Sequence, residues 1–159
     1  MAIRGIHHVA VNTANFDRLV KFYREAFGFE PALDEMGWSD SAEIDSIIGV
    51  PGSAARTTML KAGNAYLEIF EYSSPAPHVE GPLAPNDRGY THFAVDTDDI
   101  EADFVKLQQA GMTFVKNEYG DMGEIKAIYG KDPDGNVIEL QQISPGHDMC
   151  LTRRRVPEA

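Results

Sequence analysis

Residues 7–13 read HHVAVNT and residues 91–97 read THFAVDT. The heptads agree at His8/His92, Ala10/Ala94, Val11/Val95 and Thr13/Thr97. Both are short and Val-bearing, as a strand is, and both carry a histidine at the second position. A phrase written twice in one chain marks an internal repeat, and a repeat constrains the fold before any single element does.

The flanking sequence repeats as well. After the first heptad Asn15 is placed to cap a helix whose apolar positions are Phe16, Val20, Tyr23 and Phe27. After the second, Ile100, Phe104 and Leu107 carry the same spacing, opened by Asp98 and Glu101 in the manner of a capping box. Gly28 and Gly111 stop the two helices. Strand-like runs follow: ARTTML, a Gly63-Asn64 turn and AYLEIFEY in the first half; TFVKNE, EIKAIYG, a Pro133/Gly135 turn and NVIELQQI in the second. Each half therefore reads β-α-β-β-β. Pro75, Pro77, Pro82 and Pro85 mark a linker between them. The His8-to-His92 separation exceeds that from Glu68 to Glu139, so the first half holds extra residues. We assign them to 30–57, a stretch that contains Met36, Trp38 and a short capped helix ending at Gly49, and that is long enough to serve as a lid. The expected organisation is one domain over 1–145 (module one about 3–74, linker about 75–88, module two about 89–143) with a tail at 146–159.

The chain has 159 residues, 43% apolar and 25% charged, which is the composition of a soluble globular protein. No run reaches the length of a membrane span and no secretory signal is legible, so no membrane partner is expected. A single cysteine, Cys150, excludes an internal disulfide and suits a reducing, cytoplasmic setting. The formal charge of -11 repels phosphate backbones, which argues against nucleic acid. The Arg153–Arg155 run reads as a solvated tail.

Side chains alternate between the faces of a strand, so His8, Ala10 and Asn12 share one face, and His92 holds the equivalent of His8. His7 should point to the other face, as a surface or interface residue. Glu68 in YLEIF and Glu139 in VIELQ lie among apolar residues, where a carboxylate is costly to bury unless it is paired or bound to a metal. A lone strand histidine is commonly a hydrogen-bonded core residue. Two histidines and two acids at repeat-equivalent positions read differently. If the halves face each other, His8, Glu68, His92 and Glu139 meet in one cavity, as ligands of one divalent ion: Zn, Fe, Mn, Co or Ni. Phe70 and Tyr72 share a face with Glu68, and with Asn12 and Trp38 they are the candidate substrate pocket. The DPDG stretch at 132–135 reads as a turn only, and Cys150 is assigned no role.

IHHVAV…FDRLVKFYREAFGF, YLEIFEY, THFAVDTDDIEADFVKLQQAG and IYGKDPDGNVIEL resemble the vicinal oxygen chelate superfamily over about residues 5–143. That superfamily includes glyoxalase I, methylmalonyl-CoA epimerase, extradiol dioxygenases, and fosfomycin and bleomycin resistance proteins. The resemblance implies an α+β fold of two tandem βαβββ modules, forming one cupped, barrel-like mixed sheet with helices outside, around a divalent metal. It implies His8, Glu68, His92 and Glu139 as ligands, Glu139 as proton shuttle with Glu68 its mirror image, and a homodimer. The ligand set looks like glyoxalase I. The glutathione-gripping Arg and Asn of that enzyme, however, are replaced by Asn12 and Tyr72, so a cationic clamp is missing. Tyr129 stands where extradiol dioxygenases carry a tyrosine before their glutamate ligand, although the histidine of that signature is absent. Resistance proteins that bind a drug without metal usually lack the ligand set, which is complete here. The expected function is a metal-dependent lyase or isomerase that abstracts a proton next to a chelated carbonyl of a small substrate. An Fe(II) ring-cleaving dioxygenase and a metal-free drug-binding protein are the alternatives.

Overall fold

Alternate apolar side chains on a strand, covered by one amphipathic helix, make the unit from which this chain is built. The computed structural model describes residues 5–78 and 81–153, so Arg154 and Arg155 of the basic run lie outside the described residues. The chain divides into two compact units, Met1–Gly81 and Pro82–Ala159, at a point inside the proline-bearing stretch.

The first unit runs β1 (His8–Asn12), α1 (Phe16–Phe27), β2 (Glu30–Pro31), β3 (Met36–Trp38), α2 (Ala42–Ile48), β4 (Ala54–Ala62) and β5 (Ala65–Ser74). Its sheet has the order β1-β5-β4-β2, with β3 also on β4. Only the β1–β5 pairing is parallel. Asn15 caps α1 by accepting from the Arg18 N–H at 3.1 Å, and Gly28 ends the helix with a left-handed φ of 70°. The buried stripe is Phe16, Leu19, Phe22, Tyr23 and Ala26. Val20 and Phe27, expected within it, are half-buried at its margin, with the Phe27 ring stacked on Tyr23. It packs against β5, whose Leu67 and Ile69, with Leu60 of β4, are almost fully buried. Arg56 on the same sheet face spans to the helix. It pairs with Glu71 at 2.7 Å and Asp17 at 3.2 Å and lies over the Phe16 ring, and the Glu71 hydrogen bond above all holds its guanidinium charged.

The second unit repeats the plan: β6 (His92–Asp96), α3 (Ile100–Gln109), β7 (Thr113–Phe114), β8 (Gly120–Asp121), β9 (Ile125–Lys131) and β10 (Val137–Ile143), then a single 3-10 turn at Leu151–Arg153. The sheet order is β6-β10-β9-β7 with β8 on β9, and again only the first and last strands are parallel. Ile100, Phe104 and Leu107 of α3 are buried, and the helix packs against β10, whose Ile138 and Leu140 are almost fully buried. The cap of α3 is Asp99, which accepts from the Ala102 N–H at 3.0 Å, and not Asp98. Gln142 on β10 fastens that end, accepting from the Ile100 N–H and donating to the Asp98 carbonyl. The DPDG stretch is a turn organised by Asp132, whose buried carboxylate accepts from the Asp134 and Asn136 backbone N–H groups.

Apart from α2 the halves correspond element for element, and the doubled α+β architecture is borne out. The hydrogen bonding resolves into two open five-stranded sheets, each ending in edge strands, rather than one closed barrel. The extra residues of the first half are also narrower than expected. Residues 30–31 and 36–38 are strands with counterparts in β7 and β8, so Trp38 belongs to the repeat. The addition is the 39–53 connection that carries α2, where the second half has only residues 122–124.

Gly130 on β9 shows how tightly the helix side of the second sheet closes. A Cβ there would lie 2.6 Å from Met112 Cε, 2.8 Å from Phe114 Cδ1 and 3.0 Å from the Thr113 carbonyl oxygen. Overpacking of this kind costs about 1–3 kcal/mol, so Gly130→Ala is expected to lower the urea midpoint correspondingly, with an unchanged midpoint contradicting this packing.

Candidate metal and substrate site

In the first unit the parallel pairing sets Ala10 beside Glu68 and His8 beside Tyr66, so imidazole and carboxylate emerge on one sheet face, one step apart. His8 Nε2 lies 3.3 Å from Glu68 Oε2. Side-chain exposures of 41% and 18% leave the pair reachable yet sheltered. His7 does not turn away as expected. It precedes the strand, where alternation no longer governs, and its Nδ1 sits 3.0 Å from His8 Nδ1 while its ring rests on Tyr66 with centroids 4.9 Å apart.

Farther along the face, Phe70 and Tyr72 meet the Trp38 ring edge-on, at centroid distances of 6.0 and 5.8 Å. Trp38 is fixed from behind: its indole N–H donates to Ser53 Oγ at 2.8 Å, and Ser53 donates to Asp45 of α2. The Ser53 hydroxyl is the main reason the Asp45 carboxyl lies below its ordinary pKa. The added helix thus props an aromatic wall. Asn12 pairs with Phe70 on the same face. Burial, then the Glu68 charge, raises the Tyr72 phenol above its ordinary pKa, so it remains a neutral donor.

The second unit rebuilds the pair. His92 Nε2 lies 3.5 Å from Glu139 Oε2, with exposures of 29% and 19%. His92 Nδ1 sits 3.0 Å from Thr91 Oγ1. Tyr129, directly across from Glu139, adds a phenol 3.4 Å from His92 Nε2, with the rings edge-on at 5.0 Å. Its pKa is raised by burial, by the Glu139 charge and by hydrogen bonding to Glu139, so it stays protonated and donates. In the first unit Met59 occupies the position opposite Glu68. The two pairs are therefore equivalent in backbone and unequal in chemistry.

Sequence reasoning missed Asp96 and Thr57. Among the described residues, the buried side-chain polar atoms without a hydrogen-bond partner are Asp96 Oδ1 and Thr57 Oγ1. Strand pairing places Asp96 on the His92 face beside Gln141, and Thr57 on the Glu68 face beside Phe70. Buried polar atoms are rarely left unpaired, and here both lie on the faces that carry the imidazole–carboxylate pairs. The heptad alignment, which sets Asp96 against Asn12, was the available signal for the first; nothing marked the second.

Imidazole and carboxylate together suit a first-row divalent ion, and in each pair Nε2 is aimed at the acid while Nδ1 is engaged elsewhere, as ligation through Nε2 requires. Among the described residues no group of three or more His, Cys, Asp or Glu side chains is gathered to hold a metal, so each unit by itself offers two donors. No helix among the described residues is long and apolar enough to cross a membrane.

A family model described as the Glyoxalase/Bleomycin resistance protein/Dioxygenase superfamily matches residues 5–140, and the chain belongs to that superfamily. It is 27% identical over 148 residues to a lactoylglutathione lyase of Schizosaccharomyces pombe, covering 88% of this chain and 48% of the lyase, about half of that relative's length. It is 23% identical over 141 residues to the metallothiol transferase FosB of Shouchella clausii, covering 87% of this chain and 80% of the transferase. A solved glyoxalase family protein from Bacillus cereus shares the fold with a TM-score of 0.79 at 16% identity, over 91% of this chain and 97% of its own.

Burial raises the Asp96 pKa, against a smaller lowering by the Ile143 backbone hydrogen bond. A carboxyl whose folded pKa exceeds its unfolded value costs stability once the pH rises above the unfolded value, and costs nothing below it. Asp96→Asn is therefore expected to raise Tm at pH 7 and to leave it unchanged near pH ~3. Calorimetry across that range checks it, and a lowered Tm at pH 7 contradicts the assignment.

Proposed function

We propose that the protein is a divalent-metal-dependent lyase or isomerase that abstracts a proton next to the chelated carbonyl of a small substrate. One observation supports this most: the same imidazole–carboxylate pair is built twice, on equivalent strands, with Nε2 toward the acid each time. His8, Glu68, His92 and Glu139 are the proposed ligands of one ion, which suits Zn, Fe, Mn, Co or Ni. Such an ion, when bound, supplies Lewis-acid polarisation of a substrate oxygen and makes the neighbouring C–H bond acidic.

The remaining work falls to side chains. Glu139 takes the proton at a carboxylate oxygen and returns it to a neighbouring position. Tyr129 donates to Glu139 and fixes the carboxylate's orientation, and it keeps its own proton because its pKa is raised. Glu68, facing Met59 instead of a phenol, lacks that donor and serves as the mirror-image ligand. Trp38, Phe70 and Tyr72 receive an apolar or aromatic portion of the substrate and exclude water from it. Asn12, beside Phe70, is a neutral pocket residue, so the substrate is better sought among α-hydroxycarbonyl compounds, α-keto acid derivatives and thioesters than in glutathione adducts. The proposed setting is the cytoplasm, as a homodimer in one domain over about 1–145, without nucleic-acid or membrane partners.

The Tyr129 phenol against His92 also favours a second reading, an Fe(II) ring-cleaving dioxygenase, in which a phenol beside the metal ligand would act on a catechol. Solvent deuterium entering an α-carbonyl substrate without oxygen uptake supports the lyase or isomerase; Fe(II)-dependent oxygen uptake with catechols supports the dioxygenase. Protein purified without added metal is expected to hold a stoichiometric divalent ion. Absence of metal, with melting unchanged by EDTA, would show a metal-free binding protein instead. Glu139→Gln is expected to fold normally and to lose at least about 100-fold in turnover, the usual contribution of a general base; unchanged turnover removes Glu139 from that role.

A further inference from the structure

The residue that opens each heptad touches the histidine that follows it. Thr91 Oγ1 is 3.0 Å from His92 Nδ1, and His7 Nδ1 is 3.0 Å from His8 Nδ1. The opposite ring nitrogen, Nε2, faces Glu139 at 3.5 Å and the Tyr129 oxygen at 3.4 Å in one unit, and Glu68 at 3.3 Å in the other.

A neutral imidazole has one N–H, and its two nitrogens therefore need opposite partners. With a bare carboxylate in front of Nε2, and at His92 also a phenol oxygen whose own proton goes to Glu139, the proton belongs on Nε2, where it donates to the acid, and Nδ1 accepts. A ligating Nε2 must present its lone pair instead. The proton must then sit on Nδ1, which now needs an acceptor. A backbone carbonyl behind the ring would serve only the second state, and an ammonium only the first. A threonine hydroxyl serves both by rotating its O–H. A second imidazole serves both through its own two tautomers.

We propose that His7 and Thr91 are positioning residues that hold His8 and His92 in one ring orientation with and without metal, and permit the Nε2–H to Nδ1–H exchange that ligation demands. Nε2 gives its proton to water and Nδ1 takes one from water, so the charge of the ring is unchanged. The tilted ring contact of His7 with Tyr66 fixes the imidazole that does this in the first unit. The inference rests on the reading of His8 and His92 as ligands. It adds the requirement for a partner that can both donate and accept.

The test titrates Zn2+ alone into the metal-free full chain and its variants by calorimetry, with imidazole 15N NMR before and after. The wild type is expected to show His8 and His92 as Nε2–H tautomers without metal and as Nδ1–H tautomers with it. Thr91→Val keeps the shape and loses the hydroxyl; His7→Phe keeps the ring contact and loses the nitrogen. Each is expected to weaken Zn2+ binding by about tenfold or more, the usual effect of losing an outer hydrogen-bond partner of a metal ligand. Thr91→Ser, and His7→Asn with its reversible amide, are expected to restore binding to within about threefold. Unchanged melting of the metal-free variants separates this loss from misfolding. If the wild type takes up no Zn2+, the ligand reading fails and this inference with it. If the wild type binds and Thr91→Val and His7→Phe bind equally well, or the tautomers do not exchange, the inference alone is overturned.

Discussion

The parallel pairing of first strand with last strand is the constraint from which the site follows. In each unit the chain must leave β1 or β6, cross over through a helix, and return two antiparallel strands later to lie alongside its own start. That closure sets the register in which Ala10 meets Glu68 and Ala94 meets Glu139. It therefore brings a histidine two residues earlier into contact with the acid. A slip of β1 or β6 by one residue would send its histidine to the helix side, where Leu67, Ile69, Ile138 and Leu140 are packed, and part it from the acid. Core and site thus enforce one another: the apolar residues fix the face on which the polar ones emerge.

Duplication gives the two units the same pair, and the surroundings of that pair differ between them. Tyr129 faces Glu139 where Met59 faces Glu68. The aromatic wall of Trp38, Phe70 and Tyr72 exists in the first unit, braced through Ser53 and Asp45 by a helix that the second unit lacks. On the proposed reading, proton handling falls to the second half and substrate shape to the first. Asp96 stands where the first unit has Asn12, a further point at which an acid replaces a neutral amide on otherwise matching strands.

Much of this was legible in the sequence because two simple periods were in force. The internal repeat and strand alternation together singled out His8, Glu68, His92 and Glu139, which the structure sets as two imidazole–carboxylate pairs, and put Phe70 and Tyr72 on the Glu68 face. Where those periods lapse, the reading failed. His7 lies just before the strand begins, so alternation gave its direction wrongly. Trp38 sits on a three-residue strand too short to show a period, and was assigned to an insertion. The helix cap at Asp99 was within reach of a stricter use of the repeat. Thr13 and Thr97 each accept from the N–H two residues on, at Asn15 and Asp99, so the cap falls at the same repeat position in both halves. Thr57 carried no signal, because an unpaired buried hydroxyl is a property of packing and not of pattern.

The proposal that His8, Glu68, His92 and Glu139 are ligands of one cation is tested most directly by X-ray absorption at the K edge of the bound metal. The account predicts scattering from two imidazoles and two carboxylates about one ion, falling to a single imidazole in His92→Ala. One imidazole per ion in the wild type, with the spectrum unaltered by that substitution, would contradict it.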